Sequence, residues 1–332
     1  MLFVCAALLI ASPAFASEQA LQAILDEAND LKDGDACDGA VPLYDEVVSR
    51  ADAHAPIRGY ALYNRAVCEE LLDSPDAARR TYGEVLAGPR TWEVRRDALF
   101  RRGLLEVLRE GDLRGALRDL RLARKGATPL DAAIVDLQVA RASFLLRRPQ
   151  KAARLVARAA AVIESARDED ADRRGTPLDW YVGEAAALRG DLWLRAGAAV
   201  PLTVRGAGRV TKRIEKRAAF LESAQSFYVL AIEAGRAPWS QHALLQMGRG
   251  YATVAAELQA LRASIERGEG TLTTTERAAL AAWLEPRIAG QLRKATESWL
   301  LCARVETEIG GAPLIGSSCR AEIDAVVRRQ ER

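Results

Sequence analysis

A short apolar pattern recurs through the first half of this 332-residue chain at a nearly constant interval. Each copy has an alanine, an aromatic or aliphatic residue four positions later, and a small apolar residue three positions after that. The copies are Ala40-Tyr44-Val47, Ala78-Tyr82-Val85, Ala116-Leu120-Ala123 and Ala152-Val156-Ala159. Their alanines are separated by 38, 38 and 36 residues. A steady interval a little above ~34 residues is typical of stacked helix hairpins.

Each copy is predicted to open the second helix of a hairpin, because its spacing places three apolar residues on one helix face. A turn signal stands directly before every copy. These signals are Asp33-Gly34-Asp35, Asp73-Ser74-Pro75, Glu110-Gly111-Asp112 and Arg148-Pro149. Pro75 and Pro149 suit the first turn of a helix, since the backbone N–H that proline lacks would have no partner there. The chain is also rich in alanine, leucine and arginine, which all favour helices.

Three further stretches resemble the tetratricopeptide repeat family. They are the first-helix pattern Leu62-Tyr63-Asn64-Arg65-Ala66, the turn Gly111-Asp112-Leu113 followed by Ala116, and the signature positions Leu244, Met247, Gly248 and Tyr251. The resemblance covers most of residues 18–308. It implies an all-α fold, a right-handed superhelical solenoid of about six helix hairpins, whose first helices line a concave groove that binds a protein or peptide. An irregular helical solenoid with the same packing is the alternative.

The pattern also predicts how the chain is organised. Residues 17–164 form four regular repeats, residues 165–178 a charged linker, residues 179–308 two longer, irregular repeats, and residues 309–332 a C-terminal tail. An insertion at 198–213, either a small β-hairpin or a surface loop, interrupts the fifth repeat. The last repeat has a long second helix that begins near Thr275, with Thr274 or Thr275 as its cap.

The N-terminal segment resembles a secretory signal peptide. An apolar run over residues 2–11 precedes Ser12-Pro13, and Ala14-Phe15-Ala16 has the small-x-small pattern that signal peptidase cleaves. We therefore predict that residues 1–16 are removed and that the mature chain is periplasmic or secreted, with no integral membrane segment. An N-terminal membrane anchor is the alternative, although the run is shorter than the ~20 residues that a spanning helix needs. No Lys or Arg precedes the run, which leaves open a start codon further upstream.

Four cysteines follow the predicted cleavage point: Cys37, Cys68, Cys302 and Cys319. An even number in an exported chain is compatible with two disulfides. Proximity in the sequence favours Cys37–Cys68 and Cys302–Cys319 among the three ways of pairing them. The alternative is four buried free thiols.

No pattern in the chain indicates catalysis, a cofactor or a metal site. The two histidines, His54 and His242, lie in different repeats and have no cysteine or carboxylate at zinc-ligand spacing. The loop from Asp33 to Gly39 resembles a calcium loop, but Cys37 stands where an EF-hand requires an oxygen ligand. Glu297-Ser298 matches the start of a lytic transglycosylase motif whose remainder is missing. We therefore predict no enzymatic activity.

Charge is distributed unevenly along the chain. Acidic residues outnumber basic ones up to Pro89, and basic residues dominate from Arg90 to Arg158. Such a distribution either orients a charged partner or reflects solvated helix faces with ion pairs between successive turns. The net charge of +2 does not indicate nucleic-acid binding.

The family resemblance implies a position for the partner. Some tetratricopeptide proteins hold a partner's C-terminal carboxylate between asparagine and basic side chains of their first three repeats, and Asn29, Asn64 and Arg102 fall in phase with those positions. Leu25 and Ala98 stand where two lysines are expected. The residues predicted to face the groove are Asn29, Tyr63, Asn64, Arg101, Arg102 and Arg109. The alternative is structural asparagines and a solvated arginine.

These observations together predict an exported adaptor that binds a protein or peptide partner of unknown identity, within a cell-envelope assembly. A cell-wall-acting enzyme, or its accessory subunit, is one alternative. A purely structural link between envelope complexes is another. Neither nucleic acid nor a small-molecule cofactor is expected as a partner.

Overall fold

The chain is built from α-helices throughout its described part. The structure is a computed structural model that describes residues 13–169, 177–204 and 207–330. Those residues form thirteen helices and contain no β-strand, which confirms the all-α prediction. Residues 1–12, which carry most of the predicted signal peptide, lie outside the described residues.

The helices follow one another through short connections. They are α1 (Pro13–Asp33), α2 (Cys37–Arg50), α3 (Pro56–Leu71), α4 (Pro75–Ala87), α5 (Arg95–Leu108), α6 (Leu113–Ala123), α7 (Pro129–Leu145), α8 (Pro149–Glu169), α9 (Pro177–Ala198), α10 (Ala207–Glu233), α11 (Ala237–Glu266), α12 (Thr274–Ile309) and α13 (Pro313–Gln330). Seven of these helices begin at a proline. Proline is tolerated there because the first helical residue needs no backbone donor.

The helices pair into hairpins within two compact units that divide between Ala127 and Thr128. In unit 1, α1 packs on α2, α3 on α4 and α5 on α6; in unit 2, α7 packs on α8, α9 on α10 and α11 on α12. The second helix of a hairpin also packs on the first helix of the next hairpin in its own unit, and α13 lies against α11 and α12. The six hairpins of the described residues form a tetratricopeptide-like helical repeat, as predicted.

The recurring apolar pattern occupies the interior of the first four hairpins. All four alanines, Ala40, Ala78, Ala116 and Ala152, are completely buried. Tyr44, Tyr82 and Leu120, which follow them by four positions, are equally inaccessible. A small residue at the alanine position lets two helices approach closely, and the larger residue one turn later fills the space beside it. The periodic pattern is therefore a core pattern.

Two glycines of unit 2 make room for large aromatic side chains. Tyr228 and Trp299 occupy the aromatic position of the fifth and sixth hairpins, and both are buried. A Cβ atom added to Gly190 would lie 2.5 Å from Cε1 of Tyr228, and one added to Gly248 would lie 2.2 Å from Nε1 of Trp299. Carbon atoms cannot approach these rings so closely, so the close packing of each ring on the preceding helix requires glycine.

The turns inside the first four hairpins share one backbone conformation. Asp35, Asp73, Glu110 and Arg147 have φ values of 60°, 51°, 54° and 58°. This left-handed region is unfavourable for residues other than glycine, although aspartate tolerates it better than most. All four residues lie in or beside the predicted turn signals. The turn geometry therefore repeats even where the residue type changes.

The charged segment predicted as a linker does not coincide with the boundary between the two units. Residues 165–169 belong to the last turns of α8, residues 177–178 begin α9, and residues 170–176 lie outside the described part of the chain. Helices α8 and α9 pack on each other in unit 2. The segment therefore connects two packed helices of one unit.

The predicted insertion at 198–213 is shorter than expected. Ala198 ends α9, residues 199–204 are neither helix nor strand, and α10 begins at Ala207. Residues 205–206 lie outside the described residues, so the described portion contains no hairpin strand. The long helix α12 begins as expected near Thr275, but its cap is Thr273. The Thr273 hydroxyl accepts the N–H of Glu276, whose carboxylate accepts the N–H of Thr273 in return, which gives two donors partners at once.

Two disulfides join neighbouring helices. Cys37 at the start of α2 is bonded to Cys68 in α3, and Cys302 in α12 is bonded to Cys319 in α13. These are the pairs that proximity in the sequence favours. The second bond attaches α13 to the last hairpin, so most of the predicted C-terminal tail is a packed helix.

None of the helices in the described part of the chain combines the length and apolar composition that crossing a membrane requires.

Candidate functional site

Two of the predicted groove residues bind each other in unit 1. The side-chain Nδ2 of Asn64 in α3 donates to Oδ1 of Asn29 in α1 over 2.9 Å, and the Tyr44 hydroxyl donates to the same oxygen over 2.9 Å. Burial, with a smaller effect from Asp33, raises the pKa of Tyr44 to about 12, so its hydroxyl keeps the proton that it donates. The two asparagines thus connect the first three helices.

Tyr63 and Arg101 belong to a second network of unit 1. The Arg101 guanidinium donates to Oε2 of Glu70 over 3.3 Å, and the Tyr82 hydroxyl donates to the same carboxylate. The rings of Tyr63 and Tyr82 lie 6.0 Å apart between centroids, in a tilted arrangement. Burial raises the pKa of Tyr63, and the nearby Arg101 opposes that change. Here too the charges are balanced within the chain.

The residues of the predicted carboxylate clamp have partners within the chain. Arg102 is engaged by Asp119 of α6 through two parallel hydrogen bonds of 2.7 and 2.9 Å, which is the strongest way to hold a guanidinium. The amides of Asn29 and Asn64 are engaged with each other as well. Arg109, at the exposed end of α5, has no side-chain partner among the described residues. As a partner-binding surface, the six residues stay a prediction.

A different cavity, of about 240 Å³, lies between α9 and α11 in unit 2, with α10 behind it. It is lined by Leu194, Arg195, Gly197, Ala198, Arg217, Leu221, Gln246, Arg249, Gly250, Thr253 and Val254. Glycines of both helices in this lining are packed closely against neighbouring side chains. A Cβ atom on Gly250 would lie 2.9 Å from Cδ2 of Leu194, and one on Gly197 would lie 3.0 Å from Cβ of Phe220.

Three arginines and no carboxylate line this cavity. Arg217 is buried, with 4% of its side chain exposed, and it is paired with Glu257 of α11 and with the Gly197 carbonyl. Arg249 donates its Nε–H to Glu322 of α13 over 2.8 Å. Both arginines therefore have an acidic partner that stands outside the cavity lining.

Arg195 differs from the other two arginines. It donates to the Phe144 backbone carbonyl over 2.9 Å, and its guanidinium carbon lies 4.2 Å from the centroid of the Phe144 ring. Among the described residues no carboxylate pairs with it. Since a guanidinium has five N–H donors, most of its hydrogen-bonding capacity is left for a ligand in the cavity. Of the three arginines, Arg217 and Arg249 are thus paired with Glu257 and Glu322, and Arg195 has no ion-pair partner among the described residues.

A second cavity of about 570 Å³ adjoins the first. Both are lined by Ala198, and the ion pair between Arg217 and Glu257 has one partner in each lining. Its lining comprises Ala198, Val200, Pro201, Leu202, Thr203, Val204, Glu257, Ala260, Leu261, Ser264, Glu269 and Gly270. We call the two cavities together the α9–α11 groove. One end is lined by three arginines, and the other combines aliphatic side chains with Glu257 and Glu269.

A polar cluster lies one helical turn before the basic end, on the same helices. Asp191, four residues before Arg195, accepts the Tyr228 hydroxyl over 2.7 Å and lies 3.1 Å from Nε2 of His242. Burial opposes the ionisation of Asp191, but His242, Tyr228 and Arg141 outweigh it, and its pKa lies below the ordinary value. The cluster ties α9, α10 and α11 together beside the groove.

Arg141 of α7 extends this cluster. It donates to Glu184 of α9 over 3.0 Å and lies 4.9 Å above the ring of Trp239. Gln138, completely buried, donates to the same carboxylate over 2.9 Å. The carboxylates of Asp191 and Glu184 have partners within the chain, and their hydrogen bonds connect α7, α9, α10 and α11.

The sequence predictions missed the groove. Nothing in the local pattern distinguishes Arg195 from the many other arginines, because its lack of an acidic partner depends on distant helices. The small residues Gly197 and Gly250 mark a close approach of neighbouring helices and do not by themselves indicate a cavity. No group of His, Cys, Asp and Glu side chains in the described ranges is arranged to hold a metal ion.

No protein-family model matches this chain, and no curated protein sequence matches it. Among solved structures, PilF of Pseudomonas aeruginosa is similar at 14% sequence identity, covering 92% of this chain and 99% of that chain, with a TM-score of 0.47. A TPR repeats protein from Bacteroides fragilis is similar at 12% identity, covering 92% of this chain and 98% of that chain, with a TM-score of 0.34. The fold assignment rests on the helix hairpins described above.

Proposed function

We propose that this chain is an exported protein-interaction module, and that the α9–α11 groove receives an extended segment of a partner protein. The observation that carries the proposal is the lining of the basic end, where Arg195 has no acidic partner and aliphatic side chains stand beside it. Mixed charged and apolar concave sites of this kind suit a ligand that has both features, such as a polypeptide. No covalent step is part of this function.

The length of the groove also favours a polypeptide ligand. Its lining on α11 extends from Gln246 to Ser264, and at 1.5 Å per residue this stretch of helix measures roughly 27 Å. A fully extended peptide of about eight residues spans that distance. A small metabolite would occupy only one of the two cavities.

Export is supported by the N-terminal pattern and by the two disulfides. Structural disulfides persist in oxidising compartments and are rare in the bacterial or eukaryotic cytosol. We propose a periplasmic or secreted location on this basis. Fractionation of the native host, with alkylation of free thiols before lysis, tests it. Recovery in the cytosolic fraction with Cys37, Cys68, Cys302 and Cys319 all alkylated would contradict export.

A groove-filling variant tests the binding function. Thr253→Trp places a large ring in the basic cavity, whereas Ser226→Trp places the same ring on the exposed surface of α10. Wild type and both variants are expressed in the native host, crosslinked with formaldehyde and captured. We expect one protein to be recovered with wild type and with Ser226→Trp, and to be lost with Thr253→Trp. Equal recovery with all three would show that partners bind elsewhere.

A further inference from the structure

We infer that the segment bound in the α9–α11 groove contains an internal acidic side chain, which binds between Arg195, Arg217 and Arg249. This inference rests on the proposed function and states the chemistry of the partner. It follows from the charges at the basic end of the groove and from the shape of the groove beyond it.

The charge at the basic end selects an anion. Two of the three guanidiniums are paired with Glu257 and Glu322, whereas Arg195 has no ion-pair partner among the described residues, since the carboxylate of Asp191 one turn away is bound to Tyr228 and His242. An isolated charge beside apolar surface is unfavourable, because part of its hydration is lost and no counter-charge replaces it. A single carboxylate from a partner would balance it. Hydrogen bonds between guanidinium and carboxylate are among the strongest that proteins form.

The side chains that line the basic cavity would contribute to binding in different ways. Arg195 has free donors and no acidic partner, so it would form the new ion pair. Gln246, which lines the same cavity, makes no hydrogen bond in the described part of the chain, so its amide is available to the ligand. Arg217 is buried and already paired with Glu257, so it would form part of the cavity wall and leave the new ion pair to Arg195.

The groove is long enough for a segment that extends beyond its acidic residue. The basic cavity continues past Ala198 into the second cavity, whose lining combines Val200, Leu202, Val204 and Leu261 with Glu257 and Glu269. A segment that spans both cavities would place an internal acidic side chain beside Arg195. The pool with a free carboxylate in the test below separates this arrangement from a bound chain terminus.

The test uses pooled synthetic peptides and the full-length protein. Each pool is acetylated and amidated at its ends and has random mixtures of Ala, Leu, Ser and Val around a central residue. That residue is Glu in the first pool and Gln in the second. A third pool has no central charge and ends in a free carboxylate. Peptides retained by the immobilised protein are quantified by mass spectrometry.

We expect the Glu pool to be retained about tenfold or more above the Gln pool, since a charge-assisted hydrogen bond replaces a neutral one. Arg195→Gln should remove that preference. Arg304→Gln, an exposed arginine of α12 that pairs with Glu308, should keep it. Arg195 is suitable for substitution because its loss leaves no carboxylate of the chain without a partner.

Three outcomes would overturn the inference in different ways. Equal retention of the Glu and Gln pools would refute acidic recognition, while the proposed peptide binding would stand. Strongest retention of the free-carboxylate pool would show that the groove reads a chain terminus. Retention of none of the pools above a column without protein would overturn both the inference and the proposed peptide-binding function.

Discussion

The two units are built from the same helix hairpin but differ in how the arginines of their candidate sites are paired. In unit 1 every predicted groove residue except Arg109 is engaged by a partner in the same unit, and Arg102 is held by Asp119 over 2.7 Å. In unit 2 the α9–α11 groove contains Arg195, whose charge has no acidic partner among the described residues. Regular repeats indicate where helices pack, and an arginine that lines a cavity without an acidic partner is the feature on which we base the proposed binding site.

The units also differ in the length of their helices. Helices α2 to α6 of unit 1 have 11 to 16 residues, while α8 to α12 of unit 2 have 21 to 36. The extra turns of α11 and the connection over residues 199–204 form the walls of the second cavity. Lengthened helices therefore provide the surface of the α9–α11 groove.

The disulfides are expected to show the largest effect on stability, with one in each unit. Replacing Cys37 and Cys68 together by serine opens a link across 31 residues, and replacing Cys302 and Cys319 opens one across 17. Each pair should lower the free energy of unfolding by about 3 to 4 kcal/mol, because the unfolded chain gains freedom. Chemical denaturation of oxidised wild type and both variants measures this.

The disulfide variants also sharpen the comparison between the units. Only the second pair holds α13, which supplies Glu322 to Arg249. Loss of that pair should change ligand retention at the groove, and loss of the first pair should leave it unchanged. An equal effect of both on ligand retention would contradict the assignment of binding to unit 2.

Gly248→Ala is expected to destabilise unit 2 by about 3 kcal/mol, since its new methyl group would overlap the Trp299 ring and force the core to shift. Gly290→Ala is the matched control within α12, because its Cβ meets nothing closer than 4.0 Å. That change should stabilise the helix by roughly 0.5 to 1 kcal/mol. Thermal unfolding followed by circular dichroism measures both. Equal effects of the two substitutions on stability would refute the close packing of Trp299 against Gly248.

Asp191→Asn is expected to lower stability by about 1 to 2 kcal/mol at neutral pH, through loss of charge-assisted hydrogen bonds to Tyr228 and His242. The pKa of Asp191 is lowered in the folded state, so its contribution is present above the ordinary carboxylate value of about 3.9 and is lost as the pH falls through the lowered pKa. The difference between wild type and variant should therefore shrink only in acid. Asp324→Asn, exposed on α13, is the control, and a pH-independent difference would contradict this account.

Glu110→Gly tests the strained turns of unit 1 and should have the smallest effect. Glu110 has a φ of 54°, where a side chain costs about 1 to 2 kcal/mol, but glycine also gains more freedom in the unfolded chain. We expect a net stabilisation of up to about 1 kcal/mol. Glu215→Gly, in the exposed interior of α10, should instead destabilise by a similar amount. Urea unfolding of the two variants measures the change in the free energy of unfolding. Destabilisation by Glu110→Gly would show that the backbone at Glu110 is not strained.

The helix hairpins could be predicted from the sequence because they depend on the spacing of apolar residues within each helix. Alanine and aromatic positions such as Ala78 and Tyr82 repeat with the helix period, and burial follows from that period alone. The cap of α12 was predicted one or two residues too late, at Thr274 or Thr275, since the three threonines are chemically alike and only the reciprocal bond with Glu276 distinguishes Thr273.

The site could not be predicted in the same way. Whether an arginine has a free charge depends on acids that are distant in the chain, as Asp119 is for Arg102 and Glu322 is for Arg249. The spacing of residues within one helix contains no information about such partners. The groove likewise depends on helix lengths, which a degenerate repeat pattern defines only approximately.

The most direct test of the central claim is site-specific photocrosslinking in the native host. A photoreactive residue is placed at Gln246 in the α9–α11 groove or at Arg109, the exposed residue of the surface predicted in unit 1. We expect a single crosslinked protein partner from Gln246 and none from Arg109. Crosslinking of the partner at Arg109 alone would contradict the account and return the binding site to unit 1.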